Sequence, residues 1–162
     1  MKKWSERSRE IAYLLNPAFC GRLLYSAIRA YNLEAKRALP FPLVYLILPL
    51  VLHKNTRQTI NSKTQLMIWI QRNEHLLINY AKRAKQLVPI TNEAVELLLI
   101  SDYLSLTETA ELEVSAVKKA LSKTLYIDEE IQECIIKCEH IGKWFARTGK
   151  AETIYVSLGV RP

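Results

Sequence analysis

This sequence is short of the residues that most small enzymes and secreted domains depend on. Only 4 glycines occur in 162 residues. That leaves no Gly-rich loop to cradle a phosphate, and neither GxGxxG nor a P-loop pattern is present. The 6 prolines do not cluster with Gly or Ser, so long flexible linkers are excluded. The 3 cysteines, Cys20, Cys134 and Cys138, are odd in number and sparse. They argue against a disulfide framework and fit a reducing, cytoplasmic setting. Long apolar runs are also missing. The longest, Leu39 to Leu52, has 14 residues and contains Pro40, Pro42 and Pro49, whereas a membrane-spanning helix needs about 20 apolar residues. The basic start, Met1 to Arg7, is not followed by an apolar stretch, so no export signal is expected.

Catalytic constellations are equally scarce. The sequence has no HExxH, GxSxG or kinase signature. Its three histidines, His53, His75 and His140, lack the partners of a general base. His75 follows Glu74, but adjacent residues on a helix point in different directions. The acidic pairs Glu111/Glu113 and Glu129/Glu133 have no second cluster to converge on. Cys134, Cys138 and His140 are the best metal candidates, because Cys134 and Cys138 share one helical face. A zinc site wants four ligands, and no second pair is at hand, so the two thiols read as small core residues beside Ile135 and Ile141. We therefore assign no catalytic residue, no metal ligand and no cofactor.

What the chain does have is apolar content and an uneven charge. Hydrophobic residues make up 49%, enough for a core. Residues 1–90 carry 15 Lys and Arg against 4 Asp and Glu, and residues 91–162 carry 8 against 12. The net +7 is thus a basic first part joined to a mildly acidic second part. Two basic groups stand out: Lys54, Arg57 and Lys63, and then Lys82, Arg83 and Lys85. Such groups suit phosphate contacts that do not read sequence, or simply a solvated basic surface.

The expected fold class is mostly α with a small β element. Residues 5–15 read as a short amphipathic helix. Asn16-Pro17 caps and opens a second helix through about Tyr31, with Phe19, Cys20, Leu23, Leu24, Ala27, Ile28 and Tyr31 on one face. Pro42 starts a helix apolar on every side through Leu52, which Pro49 should kink. Gln65 to Leu87 reads as one long helix or two abutting ones, which Pro89 should end, and Thr91 opens the next helix. Leu104–Leu106 and Leu112–Val114 alternate as two short strands. Ser115 caps a short helix through about Leu121. Asp128-Glu129-Glu130 opens a last helix through about Arg147, and Gly149 stops it. Thr153 to Leu158 reads as a strand. The reading therefore divides the chain into a basic helical region, 1–90, containing the buried helix 42–52, and a winged-helix-like region, 91–162, within one compact unit. The last helix of such a winged helix is too acidic for a DNA groove, which favours protein as its partner. Trp69, Trp144, Phe145 and Tyr155 are expected to leave an apolar patch facing that partner.

Four stretches carry a family resemblance. They are Asn16-Pro17-Ala18-Phe19, the run Leu39 to Arg57, the block Gly142-Lys143-Trp144-Phe145-Ala146, and the closing Leu158-Gly159-Val160-Arg161-Pro162. In order and spacing they resemble the middle component of three-component ABC systems, the group that includes the Lamassu-type anti-phage operons. The resemblance implies a non-catalytic, winged-helix-like adaptor that holds an effector, often a nuclease, on an SMC/Rad50-like ABC ATPase, with DNA sensed through the complex and no membrane involved. Within the resembling stretches, the closing segment with Arg161 and the Asn55-Thr56-Arg57 turn are candidate partner contacts. The competing readings are a stand-alone winged-helix DNA-binding regulator and a metal-dependent enzyme.

Overall fold

A computed structural model describes residues 15–117, 121 and 126–161. The helix expected over residues 5–15 therefore lies almost wholly outside the described residues, and so do residues 118–120 of the one expected between Ser115 and Leu121.

The first described helix, α1 (Pro17–Ala35), begins as its sequence implies. The Asn16 side chain accepts a hydrogen bond from the Ala18 N–H at 2.8 Å, and Pro17 fills the first helical position, where its missing N–H has no helical partner to lose. The helix runs four residues beyond Tyr31 and ends at Lys36 in the left-handed region. The strand β1 (Leu39–Pro40) follows, and then a 3₁₀ turn (Phe41–Leu46) and the short helix α2 (Ile47–Val51). The single kinked helix expected over 42–52 is thus two elements. Pro49 sits in the first turn of the second, where its lack of an N–H costs nothing. Burial of the segment holds, since Leu43, Val44 and all of α2 are buried.

The chain continues with α3 (Lys54–Thr59), α4 (Leu66–Arg72), a 3₁₀ turn (Glu74–Leu77) and the long helix α5 (Tyr80–Ile100). Pro89 lies inside α5 and does not end it. An interior proline costs a helix about 3 kcal/mol. Here Tyr80 and Ala84 before it, and Ile90, Ala94, Val95 and Leu98 after it, are buried on one continuous face, which offsets that cost.

The expected hairpin is present as β2 (Leu104–Leu106) and β3 (Glu111–Val114), antiparallel, with Ser105 opposite Glu113. Its turn contains neither Gly nor Asn. Instead Ala110 takes φ +56°, and the Thr107 hydroxyl accepts from the Glu111 N–H at 3.0 Å. The third strand is β1, paired on the other side of β3 through Leu39 and Leu112. Asn32 of α1 binds this sheet: its amide donates to the Leu112 carbonyl and accepts from the Val114 N–H.

The helix α6 (Glu129–Thr148) matches expectation at both ends. The Asp128 carboxylate accepts from the Ile131 N–H at 3.0 Å, and Gly149 closes the helix at φ +94°. The following segment does not match: it forms a helix, α7 (Ala151–Ser157), and not a strand. A strand would set Ile154, Val156 and Leu158 on one face. In the structure Ile154 and Leu158 are buried while Val156 is 75% exposed, the pattern of a helical turn. The region 91–162 therefore ends in a helix where a winged helix would end in a strand, and its sheet takes a strand from residues 39–40.

One apolar cluster runs from Cys20 to Leu158 and unites these elements. At its centre α1 packs against α6 and α5. Among the described residues, no helix is long and apolar enough to cross a membrane.

Candidate partner-docking groove

The structure separates the candidate basic residues. Arg57 is buried, and its whole guanidinium is engaged. Nη1 donates to the Val51 carbonyl at 3.0 Å, Nε to Glu133 at 3.0 Å, and Nη2 to Glu130. This ties α3 to the first turn of α6. Burial disfavours the Arg57 charge, but the hydrogen bonds it donates to Glu133 and Glu130 outweigh that and hold the group protonated. Arg57 therefore offers nothing to a phosphate or a partner in this conformation. Arg83 is half-buried. It donates to the Leu76 and Ile78 carbonyls, lies over the Tyr80 ring at 5.7 Å, and is pulled below the usual arginine range by burial.

Lys54, Lys63, Lys82 and Lys85 are exposed. Burial and then the Arg83 charge lower the proton affinity of His53, the residue that caps α3. Lys63 lies in the loop after α3. Its backbone N–H donates to Asn61, next to Thr64, whose carbonyl accepts from Trp144.

The aromatic patch is a correction. Trp69, Trp144, Phe145 and Tyr155 are all buried. The two indoles pack with centroids 5.4 Å apart and their planes tilted by 40°. Trp69 Nε1 donates to the Thr59 hydroxyl at 2.9 Å, Trp144 Nε1 to the Thr64 carbonyl, and Tyr155 Oη to the Pro42 carbonyl at 2.6 Å. Each polar tip has found a partner inside the fold, as a buried indole or phenol requires. These rings hold α4, α6 and α7 together.

The three cysteines are buried free thiols. Burial, reinforced by Glu93, pushes Cys20 up to about 12, and burial raises Cys138 well above its ordinary value. Neither forms the thiolate that a nucleophile or metal ligand must be. Among the described residues, no group of three or more His, Cys, Asp and Glu converges as a metal site would. His140 is half-buried with its Nδ1 unpartnered, and burial, then Lys143 and Lys137, lower its affinity for protons.

Among the described residues, two concave surfaces gather exposed cations, and sequence reading located neither as a site. The smaller, about 390 Å³, gathers Arg29, Lys36 and Arg37 beside Asn32 and Glu113. The larger, about 640 Å³, lies between α5, the 3₁₀ turn at Phe41–Leu46 and the C-terminal turn. Ala81, Ala84, Lys85 and Val88 of α5 form one wall, a single stripe at helical spacing.

The other wall is built by the chain end. After α7, Gly159 takes φ +69°, the Gly159 N–H donates to the Val156 carbonyl, and the Val160 N–H donates to the Tyr155 carbonyl, both at 3.0 Å. This pair of bonds is the Schellman motif. It turns the backbone so that Val160 and Arg161 line the groove. The hint in the sequence is Gly159 itself, two residues past the end of α7. Of the residues singled out beforehand, Lys85, Tyr155 and Arg161 meet here, while Trp144 and Phe145 belong to the core.

A family model described as ABC-three component (ABC-3C) system Middle Component 3 matches residues 4–162. No curated protein and no solved structure matches the chain. With the match covering nearly its whole length, the chain belongs to the family of middle components of ABC-three component systems.

Proposed function

We propose that this protein is a non-catalytic adaptor that holds an effector nuclease on an SMC/Rad50-like ABC ATPase, in a bacterial anti-phage complex of the Lamassu type. The observation that carries this reading is the family match over residues 4–162. The chemistry of the described residues supports it. Arg57, Glu130 and Glu133 are consumed in tying helices together, and the thiols are held neutral in the core. Neither arrangement leaves an activated acid, base or nucleophile poised at a surface. The exposed Lys54, Lys63 and Lys82 are suited to lie near DNA held by the ATPase. The adaptor works in the cytoplasm.

The test is co-expression of the three components of one operon. The expected result is a ternary assembly from which the effector is lost when this chain is omitted. An effector that stays on the ATPase without this chain, or turnover by the isolated chain that one polar substitution abolishes, would overturn the reading. Tight sequence-selective binding of DNA by the chain alone would replace it with a regulator.

A further inference from the structure

We infer that the groove between α5 and the C-terminal turn receives an acidic amphipathic helix from another component of the system. The inference rests on the adaptor reading for the source of that helix. The floor of the groove is carbon. Tyr45 donates its hydroxyl to Asn92 at 2.8 Å and Tyr155 donates its own to the Pro42 carbonyl, so both rings lend the groove their apolar bodies with the polar ends tied elsewhere. Leu46, Ala84, Val88 and Val160 complete it.

Charge selects the occupant. Among the described residues, Lys85 and Arg161 are the charged residues that line the groove, both are exposed, and no carboxylate lines it. Among the described residues neither takes part in an ion pair. A concave apolar surface flanked by two uncommitted cations complements an apolar stripe bordered by Asp or Glu. The wall fits a helix. Ala81 to Val88 spans about 10 Å along α5, two turns, and the small Ala81 and Ala84 let a second backbone come close. DNA is the poorer match, since phosphates use the cations and leave the carbon floor bare.

The test has two arms on the full-length chain. In the first, 1-anilinonaphthalene-8-sulfonate, an apolar body with one anionic group, is titrated by fluorescence. Saturable binding is expected, weakened about tenfold by Ala81→Trp, which fills the groove from an exposed position, and several-fold by Lys85→Glu with Arg161→Glu. All variants should keep the wild-type circular dichroism. In the second, the same variants are co-expressed with the ATPase and effector. One component should co-purify with the wild type, displace the dye, and be lost from Ala81→Trp.

Equal retention of both components by every variant overturns the groove and leaves the adaptor reading standing. Failure of the wild type to hold either component overturns both. Displacement of the dye by duplex DNA and by neither component would assign the groove to nucleic acid and overturn the inference.

Discussion

Gly142 of α6 lies against the backbone of Ala27 in α1 so closely that a Cβ at 142 would stand 2.1 Å from the Ala27 carbonyl oxygen. Here two helices meet main chain to main chain, with Ala30 beside them. The residues on both sides, Ile28, Tyr31, Ile141 and Phe145, are buried.

The contact yields a paired test. Gly142→Ala must push α1 and α6 apart, because the atom it strikes is backbone that no side-chain rotation can move, and the expected loss is about 3 kcal/mol. Gly21→Ala meets Ala94 and Leu98 at 3.5 Å, ordinary contact, and alanine is the better helix former by roughly 0.5–1 kcal/mol. Urea unfolding should show the first strongly destabilised and the second unchanged or slightly stabilised. Similar midpoints for the two would deny the close crossing.

Arg57→Met removes the one buried cation shared by Glu130 and Glu133. Breaking a buried pair from one side costs about 3–5 kcal/mol. Glu130 and Glu133 are 64% and 34% exposed, so solvent screens what is left and the lower end applies. Adding Glu133→Gln to Arg57→Met should cost less than the sum of the two single changes in a double-mutant cycle. Full additivity would mean that the ion pair does not couple α3 to α6.

Acid should weaken the fold. His53 and His140 both hold protons less well than the ordinary 6.5, His53 through burial and then Arg83, His140 through burial and then Lys143 and Lys137. The unfolded chain therefore binds protons that the folded chain refuses. Stability is complete above pH 6.5 and falls as the pH drops from there toward the folded values. The His53 Nδ1 also accepts from the Thr56 N–H, a role that protonation removes. His53→Asn keeps a capping acceptor and should remove part of the pH dependence seen in denaturation midpoints between pH 7 and 5. Retention of the full dependence would exclude His53 as a source.

The conformation of residues 151–157 can be read from two alanine substitutions. Ile154→Ala, in the core, should cost about 3 kcal/mol. Val156→Ala, at an exposed helical position, should change stability by less than about 0.5 kcal/mol. A strand would make the two costs alike.

The ends of elements were legible wherever one short stretch carries the whole signal. Asn16-Pro17 and Asp128 each satisfy N–H groups within three residues of themselves, so no distant partner is needed to predict them. The hairpin was legible from alternation alone. The groove beside α5 was not, because its walls come from residues 81–88, 45–46 and 159–161, which only folding brings together. The terminal segment was misread because isoleucine, tyrosine and valine favour strands by their branching and shape, and that preference is weak beside the burial of Ile154, Tyr155 and Leu158.

By itself the sequence determined that this is a mostly helical chain with an apolar core, with helices opening at Pro17 and Glu129 and with one hairpin. Each of these follows from local hydrogen-bonding geometry and hydrophobic period. Only the tertiary structure decided that Pro89 stays inside a helix, that Arg57 is a buried tie and no surface cation, that Trp69 and Trp144 bind the core together, and that the last segment is helical. Each of those outcomes is set by burial against segments remote in sequence, and the free energy of that burial exceeds the local preference it overrides.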